Sequence, residues 1–146
     1  MKNFNEFINE KLTLNDISKM SNRWVDANKL SFDNMKEGCI VETAENEAHP
    51  NDKIDNNNRY IYVSAELAEP LLGIEPDTKT GYVFLQKNKE IGDFAYLSAD
   101  EYVDAFPKFQ KSYSYTDYTI KKVYIRKKQY KNSNELEKDL KNIDKF

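Results

Sequence analysis

The amino-acid sequence predicts one α+β domain: a twisted, mostly antiparallel sheet of about five or six strands, with short helices at its edges and at both chain ends. Three observations predict it. The 146 residues match the usual size of a single domain and suffice for a core without disulfides or metals. Ten Tyr and eight Phe supply rings that bury large areas and favour strands, so the polar average reflects a polar surface over an aromatic core. Short runs rich in aromatic and β-branched residues alternate with turn residues along most of the chain, and helical periodicity is confined to brief stretches. No internal repeat or linker divides the sequence, which is read as residues 1–14 (an amphipathic helix or leader) and a domain over 15–146.

Phe4, Phe7, Ile8 and Leu12 fall on one stripe of a helix over residues 2–12. A helix this short is marginal in water alone, so it requires a partner surface in this chain or another. Asn15 is expected to cap a second helix through about Ala27, with Ile17, Met20 and Trp24 on one face. Gly38–Thr43 is the first expected strand, and Glu45–Asn58 a long polar loop or hairpin tip. Arg59–Val63 reads as a strand, followed by a helical turn capped by Ser64 and stopped by Gly73. Tyr82–Gln86 and Phe94–Leu97 are further strands. Ser98-Ala99-Asp100-Glu101 has the spacing of a capping box that opens a helix over Ala99–Phe106, which Pro107 stops. Phe109–Tyr115 and Tyr118–Lys127 read as a tyrosine-rich hairpin turning near Thr116-Asp117. Asn132 or Ser133 then caps a last helix bearing Leu136, Leu140 and Ile143.

Charge is unevenly spread although the net is −3. Residues 33–104 carry 16 acidic against 6 basic side chains, and residues 108–131 carry 8 basic against Asp117 alone. Two readings follow. The basic strands can pair with acidic neighbours in the same sheet. Alternatively Lys121, Lys122, Tyr124, Arg126, Lys127 and Lys128 form a binding patch for an acidic protein face or for nucleic acid, with Tyr118, Tyr124 and Tyr130 interleaved as stacking rings.

Residue types that carry turnover are sparse. A Ser-His or Cys-His pair needs a histidine base, and His49, the one histidine, lies in the most polar stretch. Cys39 is a lone cysteine, so no intrachain disulfide forms; it reads as a small buried apolar residue in a protein of a reducing compartment. There is no CxxC or HExxH, and the calcium-loop-like Asp52, Asp55 and Asn57 lack the required Gly and Glu positions. The four glycines form neither GxGxxG nor a Walker loop. Clustered carboxylates such as Glu66 with Glu69 read as solvated helix faces. The expectation is a non-enzyme without cofactor or metal. No apolar run reaches the ~20 residues that span a bilayer, so no membrane partner is expected.

The first ten residues, Met1-Lys2-Asn3-Phe4-Asn5-Glu6-Phe7-Ile8-Asn9-Glu10, resemble the capsid-targeting leader of T-even-type phage internal head proteins. Such leaders are short and amphipathic and end in a prohead-protease site of the form Leu or Ile, any residue, Glu. The resemblance implies a cleavage motif at Ile8, Asn9 and Glu10, with the cut before Lys11. It covers these ten residues and implies an address rather than an activity. Together these features predict a phage-type protein, packaged in the virion head or accessory to infection, that acts by binding in the host cytoplasm or the particle. Its expected partner is a capsid or host protein, with nucleic acid as the alternative.

Overall fold

In the computed structural model, residues 11–44, 59–88, 92–110 and 117–146 are described. The leader motif at residues 8–10, the polar segment 45–58 with His49, Asp52, Asp55 and Asn57, and the tip of the tyrosine-rich hairpin at residues 111–116 lie outside them.

Alternation of side chains builds the sheet. Strands β1 (Arg23–Asp26), β2 (Ile40–Thr43), β3 (Arg59–Ser64), β4 (Tyr82–Lys87), β5 (Phe94–Ser98), β6 (Lys108–Gln110) and β7 (Asp117–Ile125) form one curled antiparallel sheet. Its order is β1-β7-β2-β3-β4-β5, with β6 also paired to β7. Both faces are buried. On the inner face, Val41, Tyr60, Tyr62, Phe84, Ile120 and Val123 join one core cluster. On the outer face, Ile40, Ile61, Val63, Val83 and Leu85 join a second. Period-2 burial on both sides explains why Tyr60–Val63 and Val83–Leu85 read as continuous apolar runs.

Two helices cover the outer face. The first is α2 (Ala65–Leu72), where Ser64 Oγ accepts from the Leu67 amide and Gly73, at φ +74°, ends the helix in the left-handed conformation. The other is α3 (Ser133–Lys141), capped by Asn132, whose Oδ1 accepts from the Glu135 amide at 2.9 Å. Leu136, Leu140 and Ile143 are buried against the outer cluster, as their spacing predicts. On the inner face, stacked, tilted and edge-to-face rings run from Tyr82 through Tyr62 to Phe84, and on through Tyr102 to Phe109.

The α+β class stands, and three local expectations are corrected. The helix expected over 15–27 is a five-residue helix, α1 (Leu14–Ser18), followed by β1. Thr13, not Asn15, caps it, because Asp16 at the third position returns a bond to the Thr13 amide. Asn22, at φ +55°, then turns the chain into a strand whose Trp24 and Val25 pair with Tyr124 and Val123 of β7. Tertiary pairing overrides a weak helical pattern here. Leu12, the end of the expected first helix, is not helical; its amide donates to the Lys29 carbonyl. The helix expected over 99–106 is a single 3₁₀ turn, Ala99–Tyr102. Ser98 accepts from the Asp100 amide rather than from Glu101, and the Asp100 carboxylate is used elsewhere.

Strand β7 carries one surplus residue. Glu42 of β2 opposes Lys122 while Thr43 opposes Ile120, so Lys121 has no opposite number. This bulge sits where the other edge of β7 passes from β6, paired up to Thr119, to β1, paired from Lys122. A bulge bends its strand and increases local twist, which suits a curled sheet.

Candidate binding groove

Where β7 ends, the chain runs past α1 and the 36–39 turn, leaving a groove of about 900 Å³. Leu14, Ile17 and Met20 from α1 and the residues after it form one apolar wall, and Ile125, Cys39 and Tyr82 contribute the floor. Leu14 is 60% exposed, a large apolar side chain without cover. Lys36, Lys127 and Lys128 line the groove with positive charge, and Glu37 is the acidic residue among its lining. Partial burial pushes the Glu37 carboxyl above its usual range. Cys39 is 2% exposed, and burial pushes its thiol up, so it serves as packing rather than as a nucleophile.

Gly38 brings this wall together. At φ +95° it adopts a conformation that other residues rarely take, and a Cβ there would lie 2.5 Å from the Lys128 carbonyl oxygen. Its amide donates to the Tyr62 carbonyl at 2.7 Å, and its carbonyl accepts from Arg126 Nε at 2.7 Å.

The structure separates the six patch residues by role. Arg126 is 8% exposed and is a tie rather than a contact surface: besides Gly38, its Nη2 donates to Tyr130 Oη and, at 3.1 Å, to Asp139 Oδ2 of α3. Tyr130 Oη donates to the same carboxylate oxygen at 2.7 Å. Burial pushes the Tyr130 phenol well above its usual range, and its bond to Asp139 adds to that. Tyr124 is half-buried, its ring packed between Trp24 at 5.2 Å and Phe146 at 5.7 Å between centroids. Lys122 lies over the Trp24 ring and pairs at 3.8 Å with Glu42, which Arg59 also holds. Lys128 pairs with Glu135, whose carboxyl is held below its usual range by that bond. Lys121 and Lys127 are exposed and point to different places, one at the bulge and one at the groove. Acidic neighbours on β2 and α3 therefore take three of the five basic side chains, which is the pairing reading of the charge asymmetry, extended from the sheet to a helix.

The sequence therefore flags Lys127 and Lys128 of this groove and misses Lys36, Leu14, Ile17 and Met20. Those four lie 91 or more positions before Lys127 along the chain, and only folding brings them beside it.

Among the described residues, no group of three or more His, Cys, Asp or Glu is placed to hold a metal ion, and no helix is long and apolar enough to cross a membrane. No protein-family model, no curated protein and no solved structure matches the chain.

Proposed function

We propose that the protein works by contact rather than by turnover: a phage-type protein, associated with the virion head or accessory to infection, that holds an apolar, acidic segment of a partner protein in this groove. The observation that carries the contact is the groove itself, a solvent-open aliphatic surface edged by Lys36 and Lys127, neither of which has an ion-pair partner among the described residues. An exposed apolar surface with a charged rim is the usual chemistry of a protein-contact site. The leader-like first ten residues support the phage part of the reading. A protein partner is favoured over nucleic acid because Tyr124 and Arg126, which would stack and grip a strand, are already engaged inside the molecule.

Fluorescence anisotropy tests the contact, using a labelled helical peptide with leucines along one face and glutamates along the other. The peptide binds, its affinity falls as salt is raised, and Lys36→Glu with Lys127→Glu weakens it about tenfold or more while Lys121→Glu leaves it unchanged. Absence of binding, or an equal effect of Lys121→Glu, rejects the groove. Tight, steeply salt-dependent binding of an oligothymidylate instead favours the nucleic-acid reading. Mass spectrometry of purified particles tests the virion role, and a protein present in infected cells but never in particles removes it.

A further inference from the structure

We propose that β5 is a dimerisation edge: two copies of the chain pair their β5 strands antiparallel about a two-fold axis at Tyr96, joining two sheets into one. β5 contributes no residue to the groove, so this contact stands independently of the proposed function.

The free main-chain groups of β5 follow from the β4–β5 hairpin. The Asn88 amide donates to the Asp93 carbonyl at 2.7 Å, which makes these two a hydrogen-bonded pair in the register that sets Lys87 opposite Phe94. Hydrogen-bonded and open pairs alternate along an antiparallel ladder. Ala95 and Leu97 therefore turn their N–H and C=O toward β4, and Phe94, Tyr96 and Ser98 turn theirs away. β5 ends the sheet order, and no strand lies beyond it among the described residues. The outward amides of Phe94, Tyr96 and Ser98 donate to no other described residue. The segment before β4 meets Tyr96 at its hydroxyl, which accepts from the Asp77 amide at 3.3 Å, rather than at its main chain.

Composition marks this edge as one that pairs. An exposed edge is normally blunted by charge, proline or a bulge, because its unpaired groups are a template for another strand. Phe94-Ala95-Tyr96-Leu97-Ser98 carries no charge and no proline in a chain that is 32% charged, and its register to β4 runs without a bulge. At the other end of the sheet, β1 is four residues long with exposed Arg23 and Asp26 at its ends. Phe94 and Tyr96 pack on the outer cluster, so a neighbouring strand extends an apolar face. An acidic segment of the kind the groove fits would set carboxylates against that face, whereas a second β5 brings none.

Symmetry favours the second copy as well. The outward positions are evenly spaced about Tyr96, so a two-fold sets Tyr96 opposite Tyr96 and Phe94 opposite Ser98. Each Tyr96 amide then donates to the other copy's Tyr96 carbonyl, and each Ser98 amide to the other copy's Phe94 carbonyl. The 3₁₀ turn at Ala99–Tyr102 ends the pairing on one side and the hairpin on the other. An isologous contact consumes the edge, so assembly closes at two. A five-residue strand pair covers less than the roughly 1,200 Å² of a standard interface, so the dimer forms and dissolves with concentration.

Sedimentation velocity of the full chain tests the pairing. The sedimentation coefficient is expected to rise with concentration to that of a dimer, with half-association on the order of 100 μM, and to rise no further. Tyr96→Lys and Tyr96→Glu each set like charges face to face on the axis, so each variant alone stays monomeric. An equal mixture of the two restores the dimer, which a loss of folding would not do. Arg23→Glu, at the opposite end of the sheet, leaves association unchanged. NMR of mixed, differently labelled copies of the unmodified chain reads the register without any variant: the α-protons of Ala95 and Leu97 touch between molecules, since an open pair brings their α-carbons to about 4.5 Å. A monomer at every concentration up to about 1 mM overturns the inference and leaves the edge to a strand of another protein. Association that survives both Tyr96 variants, or a dimer without the Ala95–Leu97 contact, assigns the interface to another surface and also overturns it. So does growth beyond the dimer, or a mixture of folded Tyr96 variants that stays monomeric.

Discussion

Tyr102 is wholly buried between Phe84 and Phe109, and its hydroxyl has no hydrogen-bond partner among the described residues. Burial pushes its phenol far above the usual range, and neighbouring Tyr60 and Tyr118 push the same way, so the group stays neutral at any ordinary pH. The ring does the packing, and the hydroxyl gives up water for nothing. Tyr102→Phe should therefore match or exceed the parent's stability by up to about 1 kcal/mol, whereas Tyr130→Phe, which breaks the bonds to Arg126 and Asp139, should lose about 1–3 kcal/mol. Urea midpoints at unchanged slope measure both. The aromatic core was legible in the sequence, because rings at period 2 have few other places to go. Which hydroxyl would be satisfied was not: the partner of Tyr130 stands on a helix whose docking the local sequence does not determine.

At the scale of elements, the turn before β4 depends on a residue twenty positions away. The Asp100 carboxylate accepts from the Lys79 amide at 2.6 Å, the Thr80 amide at 2.8 Å and the Thr78 hydroxyl at 3.0 Å. Desolvation opposes its ionisation, but those donors together outweigh it and hold the carboxyl well below the usual range. A depressed folded-state pKa contributes stability that is fully present above the unfolded value near 4 and declines as pH falls from there toward the folded value. Asp100→Asn should thus lower the melting temperature at pH 7, at a cost of about 1–3 kcal/mol, and the gap to the parent should narrow steadily between pH 5 and pH 3. A gap independent of pH would show that the charge is not what matters. The strands over 59–64, 82–87 and 94–98 and the helices after Ser64 and Asn132 were legible because caps, stops and alternation are local. The Ser98 box misled because Ser98 accepts from the Asp100 amide, which closes a 3₁₀ turn instead of opening an α-helix, and 15–27 misled because pairing with β7, a hundred residues on, decides its state.

Across the whole molecule, Arg126 gathers three regions: the Gly38 turn, the end of β7 and, through Asp139, the last helix. It is also set over the Phe146 ring at 4.6 Å, so one guanidinium helps to hold the covering layer of the outer face. Asp139→Ala leaves a buried cation short of its counter-charge. The expected loss is about 2–4 kcal/mol, below the range for a fully buried pair because the Asp139 side chain keeps 23% exposure. Arg126→Met with Asp139→Leu should recover much of that loss in the same denaturation experiment, since no lone charge remains. The groove at the other end of this tie was the part least visible in the sequence, being assembled from residues 14–20, 36–39 and 125–129 with Tyr82. The surplus position in β7 bears on all of this. Tyr118 and Ile120 face inward on one side of Lys121, and Val123 and Ile125 face inward on the other, an odd interval that a regular strand cannot span. Any side chain can occupy position 121, but its peptide unit cannot be spared: without it, half of β7 would turn inside out. The lysine there is replaceable as a charge and indispensable as a spacer.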